Sequence, residues 1–214
     1  MPAPPPPPPV PRLYLVTPPL SDTAVHAEAL PAAIAGVDVA AILVRLTPAD
    51  ERTQINRIKA LAPIQKLGVA LLVDGDPNLA ARGGADGAHL TGLEALQAAL
   101  PRLKPDRIAG AGGLVSRDDA MVAGEAGADY VMFGEPDEHG RRPSFTAIIE
   151  RVAWWSQLFE IPCVAWAERI EEIGDLCAAG ADFIALGDTV LTDPRGPAAA
   201  LADAITRLKA PDPA

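Results

Sequence analysis

Acidic side chains follow several of the short apolar runs in this sequence. Asp74 ends one such run, and Glu94, Glu135 and Asp188 follow others. Arg45 is one of few cations at comparable positions, so carboxylates predominate there. Carboxylate oxygens are ligands that Mg²⁺ prefers in proteins. The pattern therefore favours a Mg²⁺ site over a site that binds an anion without a metal.

Four copies of one short pattern indicate how these side chains are positioned. The copies are Gly36-Val37-Asp38, Gly84-Ala85-Asp86, Gly127-Ala128-Asp129 and Gly180-Ala181-Asp182, each followed by an apolar stretch. A glycine at a helix end supplies the left-handed C-cap, and the short polar Asp then precedes a strand. The copies recur every roughly 45 to 50 residues, which is longer than one βα unit of about 25 to 30. Each copy is therefore expected to mark every second strand of a larger ring.

Eight short apolar runs are predicted to be strands, separated by helical patterns such as those at 51–66 and 144–159. The runs are RLYLVT at 12–17, VAAILVRL at 39–46, GVALLVD at 68–74, GAHL at 87–90, RIAGAGG at 107–113, YVMFG at 130–134, CVAWA at 163–167 and FIALG at 183–187. This alternation predicts an α/β protein, a parallel TIM (βα)8 barrel in a single domain. The alternative is an open doubly wound sheet, although no GxGxxG pattern follows the first run.

Composition bears on the domain organisation and the cellular setting. Residues 1–11 are predicted to be a disordered Pro-rich tail, and residues 12–210 the barrel. No apolar run approaches the roughly 20 residues that span a bilayer and no secretory pattern opens the chain, so we expect a cytoplasmic protein without a membrane partner. The net charge of −10 argues against a nucleic-acid partner. Cys163 and Cys177 are expected to be reduced, buried thiols.

Chemistry in a parallel barrel is found at the C-terminal ends of the strands. Thr17 and His89 lie at or near such ends, which makes them candidate substrate-binding residues. For His89, a satisfied core histidine within a strand is the competing interpretation.

Three segments carry a resemblance to a known family. RLYLVT near the start, ADGAHL in the middle and GADYVMFG later resemble the thiamine phosphate synthase and TenI family, over nearly the whole chain from Arg12 onward. Members of that family are compact barrels that join a hydroxymethylpyrimidine diphosphate to a thiazole phosphate and release pyrophosphate with the help of Mg²⁺. The resemblance implies a transferase of thiamine biosynthesis with phosphorylated small molecules as its partners.

The resemblance also implies roles for particular residues. Arg45 matches the Arg of a Gln-x-Arg-Glu-Lys pattern and would be catalytic, and Asp74 and Glu94 would be the Mg²⁺ ligands. Gly112 stands where the family has a substrate-contacting Ser. Arg141 and Arg142 lie in a loop that replaces the family's Thr-x-Thr-Lys, and could partly compensate for it as substrate-binding residues.

Other positions depart from the family pattern, so two function classes stay open. The phosphate-binding Gly-Gly after the seventh strand reads Ala167-Glu168, and the turn after the eighth carries Asp188. Carboxylates there repel a phosphate. One class is a thiamine phosphate synthase-like transferase with impaired activity, and the other is a catalytically inactive barrel that binds or regulates a different ligand. The Trp154-Trp155 pair could supply the contact face of a homo-oligomer.

Overall fold

The computed structural model describes residues 10–209, and these residues form a closed barrel of eight parallel strands. Neighbouring strands pair in chain order, and β1 closes the ring with β8. The strands are β1 (Arg12–Val16), β2 (Val39–Val44), β3 (Ala70–Asp74), β4 (Gly87–Thr91), β5 (Ile108–Gly112), β6 (Tyr130–Phe133), β7 (Cys163–Ala167) and β8 (Phe183–Leu186). The closed ring confirms the predicted TIM barrel over the open sheet.

Helices connect the strands and cover the outside of the barrel. They are α1 (Ala24–Ile34), α2 (Glu51–Leu61), α3 (Pro77–Gly83), α4 (Leu93–Leu103), α5 (Arg117–Ala126), α6 (Phe145–Leu158), α7 (Ile173–Ala178), α8 (Asp188–Leu191) and α9 (Pro197–Lys209). The predicted Pro-rich tail falls mostly at positions 1–9, outside the described residues. No helix within 10–209 is long and apolar enough to cross a membrane.

The second helix is shorter than its sequence pattern predicts. The helical pattern at 51–66 becomes α2, which ends at Leu61, followed by a 3₁₀ helix at Ala62–Leu67. Pro63 explains the change, because proline lacks the N–H of an α-helical hydrogen bond and its ring clashes with the preceding turn. The α2 N-terminus is capped by Asp50, whose side chain accepts a hydrogen bond from the Thr53 N–H.

The four Gly-x-Asp copies form the joints before the even-numbered strands, as predicted. All four glycines have positive φ, from 78° at Gly36 to 107° at Gly127. The aspartates of the later three copies accept hydrogen bonds from a backbone N–H near the start of the preceding strand. These bonds join Leu71 N to Asp86 at 2.7 Å, Ala109 N to Asp129 at 2.7 Å and Cys163 N to Asp182 at 2.8 Å. In the first copy, Asp38 instead accepts from Nε of Arg12 at 2.8 Å. Each joint thus connects the starts of two adjacent strands.

Side chains alternate between two apolar clusters along the strands. On β1, Leu13 and Leu15 pack outward under the helices, whereas Tyr14 and Val16 point into the barrel. This alternation follows from the two-residue repeat of a strand. Because the alternation continues along each strand, the last inward-facing residue of a strand lies near the C-terminal face of the barrel.

The paired tryptophans of α6 lie in different environments. Trp155 is fully buried, and its indole N–H donates to the Ile161 carbonyl oxygen at 2.7 Å. Trp154 is only partly buried, with the Arg117 guanidinium 4.9 Å from its ring centre. Only Trp154 can therefore contribute to a contact face, and the homo-oligomer remains a prediction.

Candidate functional site

Arg45 lies at the C-terminal face and contacts residues that follow β1 and β8. It directly follows β2, and its Nε donates to the Thr17 carbonyl oxygen at 2.6 Å. The Thr17 hydroxyl accepts from the Arg45 backbone N–H at 3.1 Å. On the opposite side, Nη2 of Arg45 contacts Oδ1 of Asp188 at 2.7 Å. Thr17 is fully buried, so its contacts position Arg45 within the site.

A chain of hydrogen bonds crosses the barrel interior beneath this face. The hydroxyls of Tyr14 and Tyr130 lie 2.8 Å apart, and the Tyr130 hydroxyl lies 2.9 Å from Nδ1 of His89. Nε2 of His89 is 3.3 Å from Oε2 of Glu135. Both tyrosines and His89 are buried, whereas the Glu135 side chain is 17% exposed. The chain leads from the core to the mouth of the barrel.

Electrostatics favours the charged forms of His89 and Glu135. Burial alone would lower the pKa of His89, but the charge and hydrogen bond of Glu135, together with the charge of Asp74, raise it. Burial would raise the pKa of Glu135, but the charge and hydrogen bond of His89 lower it. An imidazolium has two N–H donors. Nδ1 then donates to the Tyr130 oxygen, which leaves the Tyr130 hydroxyl hydrogen for Tyr14.

Gly112 lies next to the contact between His89 and Glu135, and its lack of a side chain leaves room for that contact. A Cβ at position 112 would lie 2.2 Å from Oε2 of Glu135 and 2.5 Å from Nε2 of His89. No side chain fits at those distances, so the pair depends on the glycine. The structure therefore gives Gly112 a steric role, while substrate contact by Gly112 stays a prediction.

Asp74 lines a cavity of about 320 Å³ between the ends of β2 and β3, together with Arg45 and Asp76. Its carboxylate has no hydrogen bond or ion pair to another side chain within residues 10–209. Burial is the main cause that raises the pKa of Asp74. Glu94 lies in the first turn of α4 and is exposed. Asp74 ends β3 and Glu94 follows β4, so the two carboxylates lie at the same face of the barrel on adjacent strands.

A second cavity, of about 260 Å³, lies at the ends of β7 and β8. Arg45 and Arg142 line it, as do Glu168 and Asp188. The Arg142 side chain is only 11% exposed and contacts Glu168 at 2.9 Å and Glu172 at 3.2 Å. Arg141 differs, because its side chain is 75% exposed and pairs with Asp137 at 2.8 Å. The two arginines of the loop are therefore not equivalent, and Arg142 is the one that faces a cavity.

Sequence reasoning missed the parts that Tyr14, Tyr130 and Glu135 play in the hydrogen-bonded chain. The two-residue repeat of β1 and β6 is the signal that places both tyrosines inside the barrel. Glu135 stands beyond the last residue of β6, where no periodicity applies. Its contact with His89 depends on the path of the loop and on Gly112.

Comparison with known proteins agrees with this architecture. The sequence model of the family described as "Thiamine monophosphate synthase" (TMP-TENI) matches residues 13–190. A relative named thiamine-phosphate synthase from Rhodospirillum centenum is 41% identical over 201 residues, covering 90% of this chain and 95% of that protein. A second, from Hyphomonas neptunium, is 36% identical and covers 89% of this chain and 90% of its own length.

Solved structures share the fold at lower identity. Thiamine phosphate pyrophosphorylase from Pyrococcus furiosus superposes with a TM-score of 0.72 at 22% identity, over 92% of this chain and 95% of that chain. The 3-hexulose-6-phosphate synthase of Salmonella typhimurium gives a TM-score of 0.70 at 20% identity, over 92% and 98% of the two chains. These likenesses confirm the barrel fold. With the sequence matches over most of its length, this chain belongs to the thiamine monophosphate synthase (TMP-TENI) family.

Proposed function

We propose that this protein is a thiamine phosphate synthase, a transferase that joins hydroxymethylpyrimidine diphosphate to thiazole phosphate and releases pyrophosphate. The observation that carries the proposal is the position of Arg45, which lines both cavities of the C-terminal face. Two cavities that share a cation suit a reaction between two phosphorylated substrates. Arg45 supplies that cation, and Thr17 holds its guanidinium in place.

The departing pyrophosphate gains negative charge as its bond to the pyrimidine methylene carbon breaks. A guanidinium suits this group because it presents several N–H donors to phosphate oxygens and stays charged. Donors fixed in advance at the place where charge develops are an effective means of lowering a barrier. We assign this role to Arg45, with Arg142 as a second cation at the β7–β8 cavity.

Asp74 and Glu94 are the proposed ligands of Mg²⁺. No group of three potential protein ligands occurs within the described residues 10–209. Mg²⁺ commonly binds one or two carboxylates and completes its shell with water and substrate phosphates. Asp74 fits this requirement, because its carboxylate is half-buried and has no side-chain hydrogen bond or ion pair within residues 10–209. When bound, the ion would neutralise charge on the diphosphate.

His89, Arg141 and Gly112 are also proposed to face substrate. Nε2 of His89 lies toward the mouth of the barrel, where it already contacts the Glu135 carboxylate. Arg141 would have to leave Asp137, and Gly112 lies beneath the His89–Glu135 pair. We also propose a cytoplasmic location.

The test is direct synthesis. Purified protein, both substrates and Mg²⁺ should yield thiamine phosphate and pyrophosphate in equal amounts, and R45A should reduce the rate at least about a hundredfold. D38N, altered at the opposite end of the barrel, is the matched control. Absence of product above background contradicts the proposal. It would favour a binding or regulatory barrel, an alternative supported by the carboxylates that pair with both arginines.

A further inference from the structure

Both arginines of the β7–β8 cavity are held by groups beneath them. Arg142 contacts Glu172 through both of its terminal nitrogens at 3.2 Å, and Glu172 is itself 6% exposed. The Arg45 Nε donates to the Thr17 carbonyl oxygen, which belongs to a buried residue. These contacts hold each guanidinium at the cavity, which both arginines line.

An exposed carboxylate occupies one outer nitrogen of each guanidinium. Asp188 contacts Nη2 of Arg45 at 2.7 Å with its side chain 53% exposed. Glu168 contacts Nη1 of Arg142 at 2.9 Å with its side chain 65% exposed. Each pair therefore joins a more buried arginine to a carboxylate on the solvent side.

This asymmetry determines which partner can be replaced. An ion pair with a largely exposed carboxylate is weak, because water and salt screen it. A phosphate offers the same kind of charged oxygen acceptor as a carboxylate, in greater number. The arginines are held from below, so an incoming phosphate can take their outer donors when the two carboxylates turn toward solvent.

We propose that Asp188 and Glu168 act as internal competitors for phosphate at the β7–β8 cavity. A phosphoryl group would bind Nη2 of Arg45 and Nη1 of Arg142 only by displacing these two carboxylates, which lowers its affinity for the native chain. The inference rests on the proposed function, since it describes regulation of the same site. It also gives a functional role to Glu168 and Asp188, the two acidic residues that depart from the family pattern.

The experiment measures binding of inorganic phosphate and of pyrophosphate by calorimetry, in the full-length protein without Mg²⁺. D188N should tighten the dissociation constant about three- to tenfold, and D188N/E168Q about ten- to a hundredfold. D38N is the matched control, because it also removes one exposed Asp that pairs with an arginine, Arg12, at 2.8 Å. Each dissociation constant is measured at two salt concentrations, since the gain should shrink with added salt.

A second readout identifies the atoms involved. The side-chain ¹⁵N–¹H signals of Arg45 should shift on phosphate addition at lower concentration in D188N than in the native chain. Gains within twofold of D38N would overturn the inference, as would an absence of phosphate binding in every variant or unchanged binding in R45A. Synthesis of thiamine phosphate is scored separately. Tighter phosphate binding without synthesis would leave the inference standing and contradict only the proposed function.

Discussion

Nε2 of His89 lies 3.3 Å from Oε2 of Glu135, directly above Gly112 at the mouth of the barrel. His89 lies in the middle of β4 and Glu135 follows β6, 46 positions apart in the chain. Their mutual attraction, aided by the charge of Asp74 on His89 and of Arg45 on Glu135, outweighs the cost of burial, since the pKa of His89 is raised and that of Glu135 is lowered. The mouth thus contains a fixed ion pair in addition to Arg45.

This pair should stabilise the fold within a limited pH window. Because folding raises the pKa of His89, protonated His89 stabilises the fold fully below the ordinary pKa of 6.5. This contribution is lost as the pH rises through the pKa of His89 in the folded protein. Because folding lowers the pKa of Glu135, its ionised carboxylate stabilises the fold above the ordinary pKa of 4.5. This stability is lost as the pH falls through the pKa of Glu135 in the folded protein. Urea unfolding should therefore show the largest difference between the native chain and E135Q from about pH 4.5 to 6.5. A pH-independent difference would contradict the assignment, and E51Q, at an exposed pair with Arg82, is the control.

Gly112 should be intolerant of a methyl group because of the pair above it. G112A is expected to cost about 1 to 3 kcal/mol in the free energy of unfolding, as overpacking does. In an E135A background the nearer of the two clashes disappears, so the cost of G112A should fall by at least about 0.5 kcal/mol. A double-mutant cycle by urea unfolding measures this coupling. Additive effects would show that the two residues do not contact each other.

Tyr130 should matter more than Tyr14, because it lies in the middle of the hydrogen-bonded chain. Y130F removes the hydroxyl that contacts both Tyr14 and His89, leaving two buried groups without that partner. Its cost should be about 1 to 3 kcal/mol, and Y14F, which leaves the contact between Tyr130 and His89 intact, should cost less. Thermal and urea unfolding of both variants test the order. An equal or reversed order would contradict it.

Asp74 should show opposite effects on stability and on activity. Burial raises its pKa, so the ionised carboxylate is disfavoured in the fold at neutral pH. D74N should raise the free energy of unfolding by about 0.5 to 1 kcal/mol while lowering the synthesis rate. The Mg²⁺ concentration for half-maximal rate should rise at least about tenfold in both D74N and E94Q. E125Q, at an exposed position on α5, is the control, and an unchanged Mg²⁺ requirement would remove Asp74 and Glu94 as ligands.

The two tryptophans of α6 should respond differently to truncation. W155A removes a fully buried ring that stacks on Phe159 at 4.1 Å between ring centres, and should cost about 3 to 5 kcal/mol. W154A should cost clearly less, because its ring is only partly buried. Sedimentation of W154A tests the homo-oligomer at the same time. A native chain that associates while W154A does not would place the contact at Trp154.

The barrel was predictable because its signals are local. A glycine with positive φ and an Asp that meets the neighbouring strand recur before β2, β4, β6 and β8, and each signal needs only three residues. Strand ends differed from the predicted ones by at most two residues, and α2 ended early because Pro63 lies in its pattern.

The site was predictable only in part, because its contacts are distant in sequence. Arg45 and Asp74 could be placed since each closes or follows a strand. The contact of Arg45 with Asp188 joins residues 143 positions apart, and no pattern near either residue specifies it. The difference between Arg141 and Arg142 likewise depends on Glu172, a residue of the next connection whose burial the sequence does not reveal.

The aspartate joints at the strand starts have an electrostatic consequence for the opposite face. A strand of five residues separates the joint carboxylates from the cavities by about 16 Å. That distance is about twice the Debye length in physiological salt, which is about 8 Å. Exposed charges at the two ends of the barrel are therefore largely screened from each other by salt. Substitutions that reverse the charge around Arg45 can change what the protein binds while leaving the strand starts joined as before.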